Sequence, residues 1–195
     1  MKIGLVFLMM VFVWPAFGLK DFSGDSRDEV KKAIGANPAP SGFAWVYLEE
    51  INAGILQPEN WTIQKDVSGD VFVVTLSEEG SEVSENFRHE FRMTFTPGRL
   101  VRGMSTKVAQ QTRDSVGTSH KVVFKDDLEN GSIQGFNCIY LDEATNRGVF
   151  ALYEGNWMTN SMYQIEFSAP QRDFDRYFKS FGIPLVNYQI VDKTR

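Results

Sequence analysis

From Phe87 to Thr96 apolar and polar residues alternate without a break, with Phe87, His89, Phe91, Met93 and Phe95 on one side and Arg88, Glu90, Arg92, Thr94 and Thr96 on the other. A period of two puts successive side chains on opposite faces, so the segment predicts a strand with one face on a core and the other toward water. Shorter runs behave alike. Ala44 to Leu48 suits a strand, and Trp61 to Lys65 with Val71 to Leu76, joined through Ser68-Gly69-Asp70, predict a hairpin. Four more strands are expected at His120 to Lys125, Ile133 to Leu141, Gly148 to Tyr153 and Met162 to Phe167, separated by short Asn- and Gly-containing connections that favour antiparallel pairing.

The period changes in three places. Ser26-Arg27-Asp28-Glu29 fits a capping box opening a short helix that Gly35 could end. Ser105 to Val116 reads as a helix, with Met104, Val108 and Thr112 on one face. Pro170 opens a last helix in which Phe174, Tyr177, Phe178 and Phe181 fall at i, i+3, i+4 and i+7, an aromatic stripe that faces a core, and Gly182-Ile183-Pro184 stops it. Runs of strands separated by single helices indicate an α+β fold: a curved antiparallel β-sheet flanked by helices, in an α/β/α sandwich-like arrangement.

The first residues follow another logic. Met1-Lys2, an apolar run from Ile3 to Val13, and small residues at Ala16 and Gly18 make the three-part layout of a secretory signal. The apolar stretch is short for a membrane span, which takes about 20 residues, and it contains Pro15. The expected organisation is a signal peptide at 1–18, a leader at 19–42 with a possible short helix, and a single α+β domain at 43–195. Export to a periplasm or the medium follows from that reading, with no stable membrane insertion after cleavage. Removing 18 of the 195 residues leaves 177, and the loss of Lys2 moves the net charge from −5 to −6. That length supports one proper core, and the acidic balance argues against nucleic acid as a partner. Cys138 is the only cysteine, between Phe136-Asn137 and Ile139-Tyr140, and reads as a small buried apolar residue.

Candidate chemistry is sparse. His89 and His120 are the only histidines, and Asp126-Asp127 with Glu129 departs from the calcium-loop pattern, so no metal site and no cofactor are expected. There is no G-x-S-x-G elbow and no phosphate-binding glycine loop. Ser119 and His120 are adjacent, which on a strand points them apart. His89, on the apolar face of its strand, is either a half-buried histidine with a satisfied hydrogen bond or a general base in a pocket under the sheet. Trp45, Tyr47, Trp61 and Trp157 lie near strand ends or turns, and Trp157 with Met158 falls in an expected loop, where an exposed indole is a contact candidate. Asn60 and Asn130 begin glycosylation triplets, informative only in a eukaryotic secretory route.

Three features carry a family resemblance. Leu56-Gln57-Pro58-Glu59-Asn60-Trp61 resembles a proline–acidic–polar–tryptophan approach to an early strand; a central helix sits between two strand sets; and Ile165 to Pro170 followed by Phe174, Tyr177, Phe178, Ser180 and Phe181 looks like a last strand and closing helix. The pattern, over about Phe43 to Phe181, resembles the PsbP/Mog1-like fold group. That resemblance implies a binding or assembly accessory rather than a catalyst, and no site residue is carried over from it. The expected function is therefore an exported non-catalytic domain that binds a protein partner or a small apolar ligand, with His89, Trp157 and Met158 as candidate contacts and no catalytic residue. The alternatives are a small hydrolase using His89 or His120, or an apolar-ligand or lipid carrier.

Overall fold

The computed structural model describes residues 20–21, 27–69, 71–78, 89–96, 104–131, 133–156, 160–187 and 190–191. In chain order these form β1 (Lys20–Asp21), α1 (Arg27–Ala36), β2 (Phe43–Leu48), a 3-10 turn (Glu49–Ile51), β3 (Ala53–Pro58), β4 (Trp61–Ser68), β5 (Val71–Glu78) and β6 (Glu90–Thr96). After these come α2 (Met104–Ser119), β7 (Lys121–Asn130), β8 (Ile133–Asp142), β9 (Arg147–Asn156) and β10 (Ser161–Pro170). The chain ends with α3 (Phe174–Tyr177), a π turn (Phe178–Gly182), α4 (Ile183–Asn187) and β11 (Ile190–Val191). The expected signal segment, Ser26, Trp157 and Met158 lie outside the described residues.

Seven strands pair in the order β4-β5-β6-β10-β9-β8-β7, every neighbour antiparallel. Four short strands form a second sheet, β1-β11-β3-β2. Asparagine makes several of the tight connections: Asn52, Asn60, Asn146 and Asn160 all take positive φ, the left-handed region this side chain tolerates best after glycine.

The alternation expected of the central strand is present in β6: Phe91, Met93 and Phe95 are buried while Arg92 is exposed. Register then propagates one apolar face across the sheet. Phe72, Val74 and Leu76 stand beside those residues on β5, and Tyr163, Ile165 and Phe167 on β10. This face packs on Leu48, Ile55 and Leu56 of the small sheet and on Phe174, Phe178 and Leu185 of the closing helix, forming the main core. The opposite face carries a second core only under α2, where Val116 meets Phe136, Cys138, Tyr140, Val149, Ala151 and Tyr153. Toward β4 the same face turns polar, with Glu166, Arg92, Thr75 and Gln64 in one cross-strand row. The result is α+β, with helices on both faces of an antiparallel sheet.

Three details correct the sequence reading. Ala53–Pro58, where no strand is expected and whose end overlaps the Leu56–Trp61 approach, is a strand buried on both sides, so it lacks the alternation that marks a half-buried one. Pro170 ends β10 instead of opening the last helix, which starts at Phe174. Nor does Gly182-Ile183-Pro184 stop that helix: it continues through α4. The π turn widens the backbone just before Pro184, which then sits in the first turn of a new α segment, where a missing N–H costs little.

Candidate functional site

His89 faces the core side of the sheet just before β6, opposite the last residue of β5. The residue is 6% exposed, and Nδ1 donates to Glu78 Oε2 at 2.8 Å. Tyr177 lies flat on the imidazole, ring centroids 3.4 Å apart and 25° from parallel. The stack continues through Phe181 to Trp61 and Phe43, with Tyr177–Phe181 at 6.0 Å, Trp61–Phe181 at 5.3 Å and Phe43–Phe181 at 6.2 Å. A histidine–carboxylate pair is half of a general-base arrangement. Here, however, an aromatic ring covers the imidazole, and Glu78 is its one hydrogen-bond partner among the described residues. The pair holds the closing helix against the corner of the sheet.

His120 is elsewhere, stacked on Tyr140 at 4.5 Å near Asp142, whose carboxyl the hydrogen bond from the Thr145 hydroxyl holds below its ordinary value. The structure does not bring the two histidines together. Of the candidate aromatics, Trp61 is buried, the Trp45 indole donates to the Asn37 carbonyl at 2.6 Å, and Tyr47 donates to Asn52 Oδ1 at 2.7 Å. Cys138 is fully buried, and desolvation pushes its thiol up to about 11. None of these presents a free contact group.

The open site lies on the other face. α2 crosses the sheet because its apolar positions, ending in Val116, need the second core. Its polar flank therefore overhangs the β7–β8 hairpin. Lys107, Gln110 and Arg113 form one wall, Asp127, Glu129 and Gln134 the other, and Phe136 the floor, around a groove of about 350 Å³. Phe136 is held from behind by Tyr153 at 4.8 Å, and Lys125 Nζ lies 5.5 Å above its ring while donating to the Arg113 carbonyl at 3.3 Å. Arg113 Nη2 donates to Asp127 Oδ2 at 2.9 Å and ties helix to hairpin. Gly135 admits no side chain, since a Cβ there would stand 1.9 Å from the Tyr153 carbonyl oxygen of β9. Of the lining residues the helix supplies the cations and the hairpin the carboxylates, while Lys125, also on the hairpin, turns its ammonium to the Arg113 carbonyl.

Sequence reasoning missed this groove. Asp126-Asp127 with Glu129, which depart from the calcium-loop pattern, lie on the edge strand β7, where Asp127 and Glu129 share the face toward α2. The readable signal was the basic and amide flank of the helix, Lys107, Gln110 and Arg113, spaced i, i+3, i+6 along one side.

No protein-family model and no curated protein matches the chain. Among solved structures the fold is similar to cyanobacterial PsbP (CyanoP) from Synechocystis, with a TM-score of 0.48 and 11% identity over 78% of this chain and 94% of that one. It is similar to the Ran-binding protein Mog1p of Saccharomyces cerevisiae, with a TM-score of 0.48 and 9% identity over 78% of this chain and 97% of that one. LpqN of Mycobacterium tuberculosis, involved in cell envelope biogenesis, gives 0.41 and 10% identity over 84% of this chain and 96% of that one. These are likenesses of fold alone, to structures of the PsbP and Mog1 kind that the sequence resemblance names.

Proposed function

We propose that this is an exported, non-catalytic binding domain whose ligand contact is the groove between α2 and the β7–β8 hairpin. The observation that carries the reading is the groove: a concave space of about 350 Å³ lined by charged and amide side chains, on a helix fixed by a packed second core. That size falls within the range of small-ligand pockets, about 300–1,000 Å³. The polar lining favours a polar ligand or partner segment over the apolar ligand considered from the sequence. Export rests on the N-terminal pattern, and no helix among the described residues is long and apolar enough to cross a membrane.

The test is site-directed photocrosslinking in producing cells. A photoreactive residue at Gln110, on the groove wall, should give a discrete adduct; one at Val67, 63% exposed on the distant edge strand β4, should not. Adducts at Val67 alone, or at neither position, would remove the groove as the contact. Terminal sequencing of the mature protein checks export, with Leu19 expected as the first residue.

The Glu78–His89 pair supports a second reading, a hydrolase in which His89 acts as base. Tyr177 would have to leave the ring for a substrate to approach. Activity on simple esters that His89→Gln abolishes, with the fold intact, would favour this reading; a rate unchanged by that variant removes it.

A further inference from the structure

The groove's charges restrict what it can hold. One cation and one anion are already spent on each other, Arg113 with Asp127 at 2.9 Å. That leaves Lys107 on the helix wall and Glu129 on the hairpin wall, with the Lys125 ammonium beside them held on the Arg113 carbonyl at 3.3 Å. Lys107 has no partner among the described residues, and Glu129 has only a long contact from Gln134 Nε2 at 3.5 Å. A purely anionic ligand drawn to Lys107 would also meet the Glu129 carboxylate. A purely cationic one drawn to Glu129 would meet Lys107. Like charges brought together cost about what the opposite pair gains, so neither kind of ion finds a net benefit. A ligand with an ammonium and a carboxylate in one molecule satisfies both walls. Gln110 and Gln134, one on each wall, supply further amide donors and acceptors between the charges. At about 350 Å³ the space is at the small end of ligand pockets, which suits a metabolite-sized guest.

We infer that the groove recognises a dipolar group, its carboxylate toward Lys107 and its ammonium toward Glu129. Two sources present that chemistry: a free amino acid or short peptide, and a loop of a partner protein with neighbouring acidic and basic side chains. The inference rests on the groove being the binding site, and the experiment separates the two claims.

The full mature chain, labelled with nitrogen-15, is titrated with glycylglycine, with acetate, and with methylammonium. Glycylglycine should shift the amides of Lys107, Gln110, Glu129 and Gln134 saturably. Each half-ligand should bind at least about tenfold more weakly. Lys107→Glu and Glu129→Lys should each weaken glycylglycine about five- to tenfold, the exposed setting keeping the effect modest. The double charge swap, Lys107→Glu with Glu129→Lys, should recover most of the loss by reversing the dipole, and added salt should weaken binding throughout. The same spectra report whether each variant is folded. Recovery in the swap together with glycylglycine binding supports a free small ligand. If glycylglycine does not bind but the Gln110 photoadduct disappears in each single variant and returns in the swap, the dipolar group belongs to a partner protein. Acetate binding as tightly as glycylglycine overturns the inference. So does a Gln110 adduct indifferent to all three variants, which would leave the groove as the contact and remove only its dipolar character.

Discussion

Gly182 offers a test in which two ordinary expectations have opposite signs. It closes the π turn, in a helical segment, with no positive φ; among the described residues Gly42, Gly69 and Gly131 are the glycines that take one. Helix propensity alone therefore predicts that Gly182→Ala stabilises the protein by about 1 kcal/mol. Packing predicts otherwise. The added methyl would stand 2.2 Å from Cδ2 and 2.9 Å from Cε2 of Phe178, and 3.1 Å from Cδ1 of Phe167. The Phe178 ring cannot swing aside, because it is only 7% exposed and packed against Phe150 at 5.0 Å and Phe174 at 5.4 Å. Overfilling a packed core costs about 1–3 kcal/mol. Since contacts this short lie at the upper end, the net is a destabilisation of about 1–2 kcal/mol. In a domain of this size that lowers Tm by roughly 2–8 °C. Urea denaturation followed by circular dichroism measures it directly. Shortening the obstructing ring gives the control: Phe178→Leu destabilises on its own, and Gly182→Ala should cost less in that background than in the native one, a non-additivity expected of touching residues. A Gly182→Ala protein more stable than the native one would refute the packing of the π turn described above.

Asn137 is 3% exposed, with its Oδ1 unpartnered among the described residues and Leu152 directly across the strand pair. Asn137→Leu should leave stability unchanged or raise it by about 1–2 kcal/mol, since an unmet buried acceptor costs about 1–3; a loss above about 1 kcal/mol in urea would mean the oxygen is satisfied. The Cys138 thiol, raised by burial from 9.0 to about 11, should resist a thiol-reactive dye at pH 8 in the native protein and react on unfolding. The linkage has a definite sign. Below about pH 9 the thiol is protonated in both states; between there and about pH 11 only the unfolded chain ionises, so stability falls with rising pH by up to about 1.4 kcal/mol per unit. Tyr140 and Tyr153, also raised chiefly by burial, steepen the fall at higher pH, and unfolding curves at a series of alkaline pH values would show it.

What the sequence exposes and hides follows from how each element meets solvent. The alternation in β6 and the aromatic stripe at Phe174, Tyr177 and Phe178 are legible because each element buries one side. β3 was missed because both of its sides are covered, and β7 was read too short because an edge strand tolerates the charges at Lys125, Asp126, Asp127 and Glu129. The Glu78–His89 pair was hidden by register. The two residues face each other across neighbouring strands, but the intervening segment gives no way to count which residue stands opposite which. The groove has no motif, because its walls come from a helix flank and a hairpin that only tertiary packing brings together.

The strand order also sets the sequence of events by which this chain can acquire its fold. β4, β5 and β6 are joined in succession, as are β7 to β10, so each group can form by zipping locally. The seam between them, β6 with β10, joins Glu90 to Ser168 and Thr96 to Met162, and it can close only when nearly the whole domain is available. The apolar faces of Phe91, Met93 and Phe95 therefore wait for Tyr163, Ile165 and Phe167, and that closure carries the largest loop entropy of the sheet. A nascent chain lacking its last forty or so residues holds a finished meander with an open, greasy edge; for as long as β10 is missing, that edge is the natural place for a chaperone to bind, or for a second unfinished copy to join by exchanging strands.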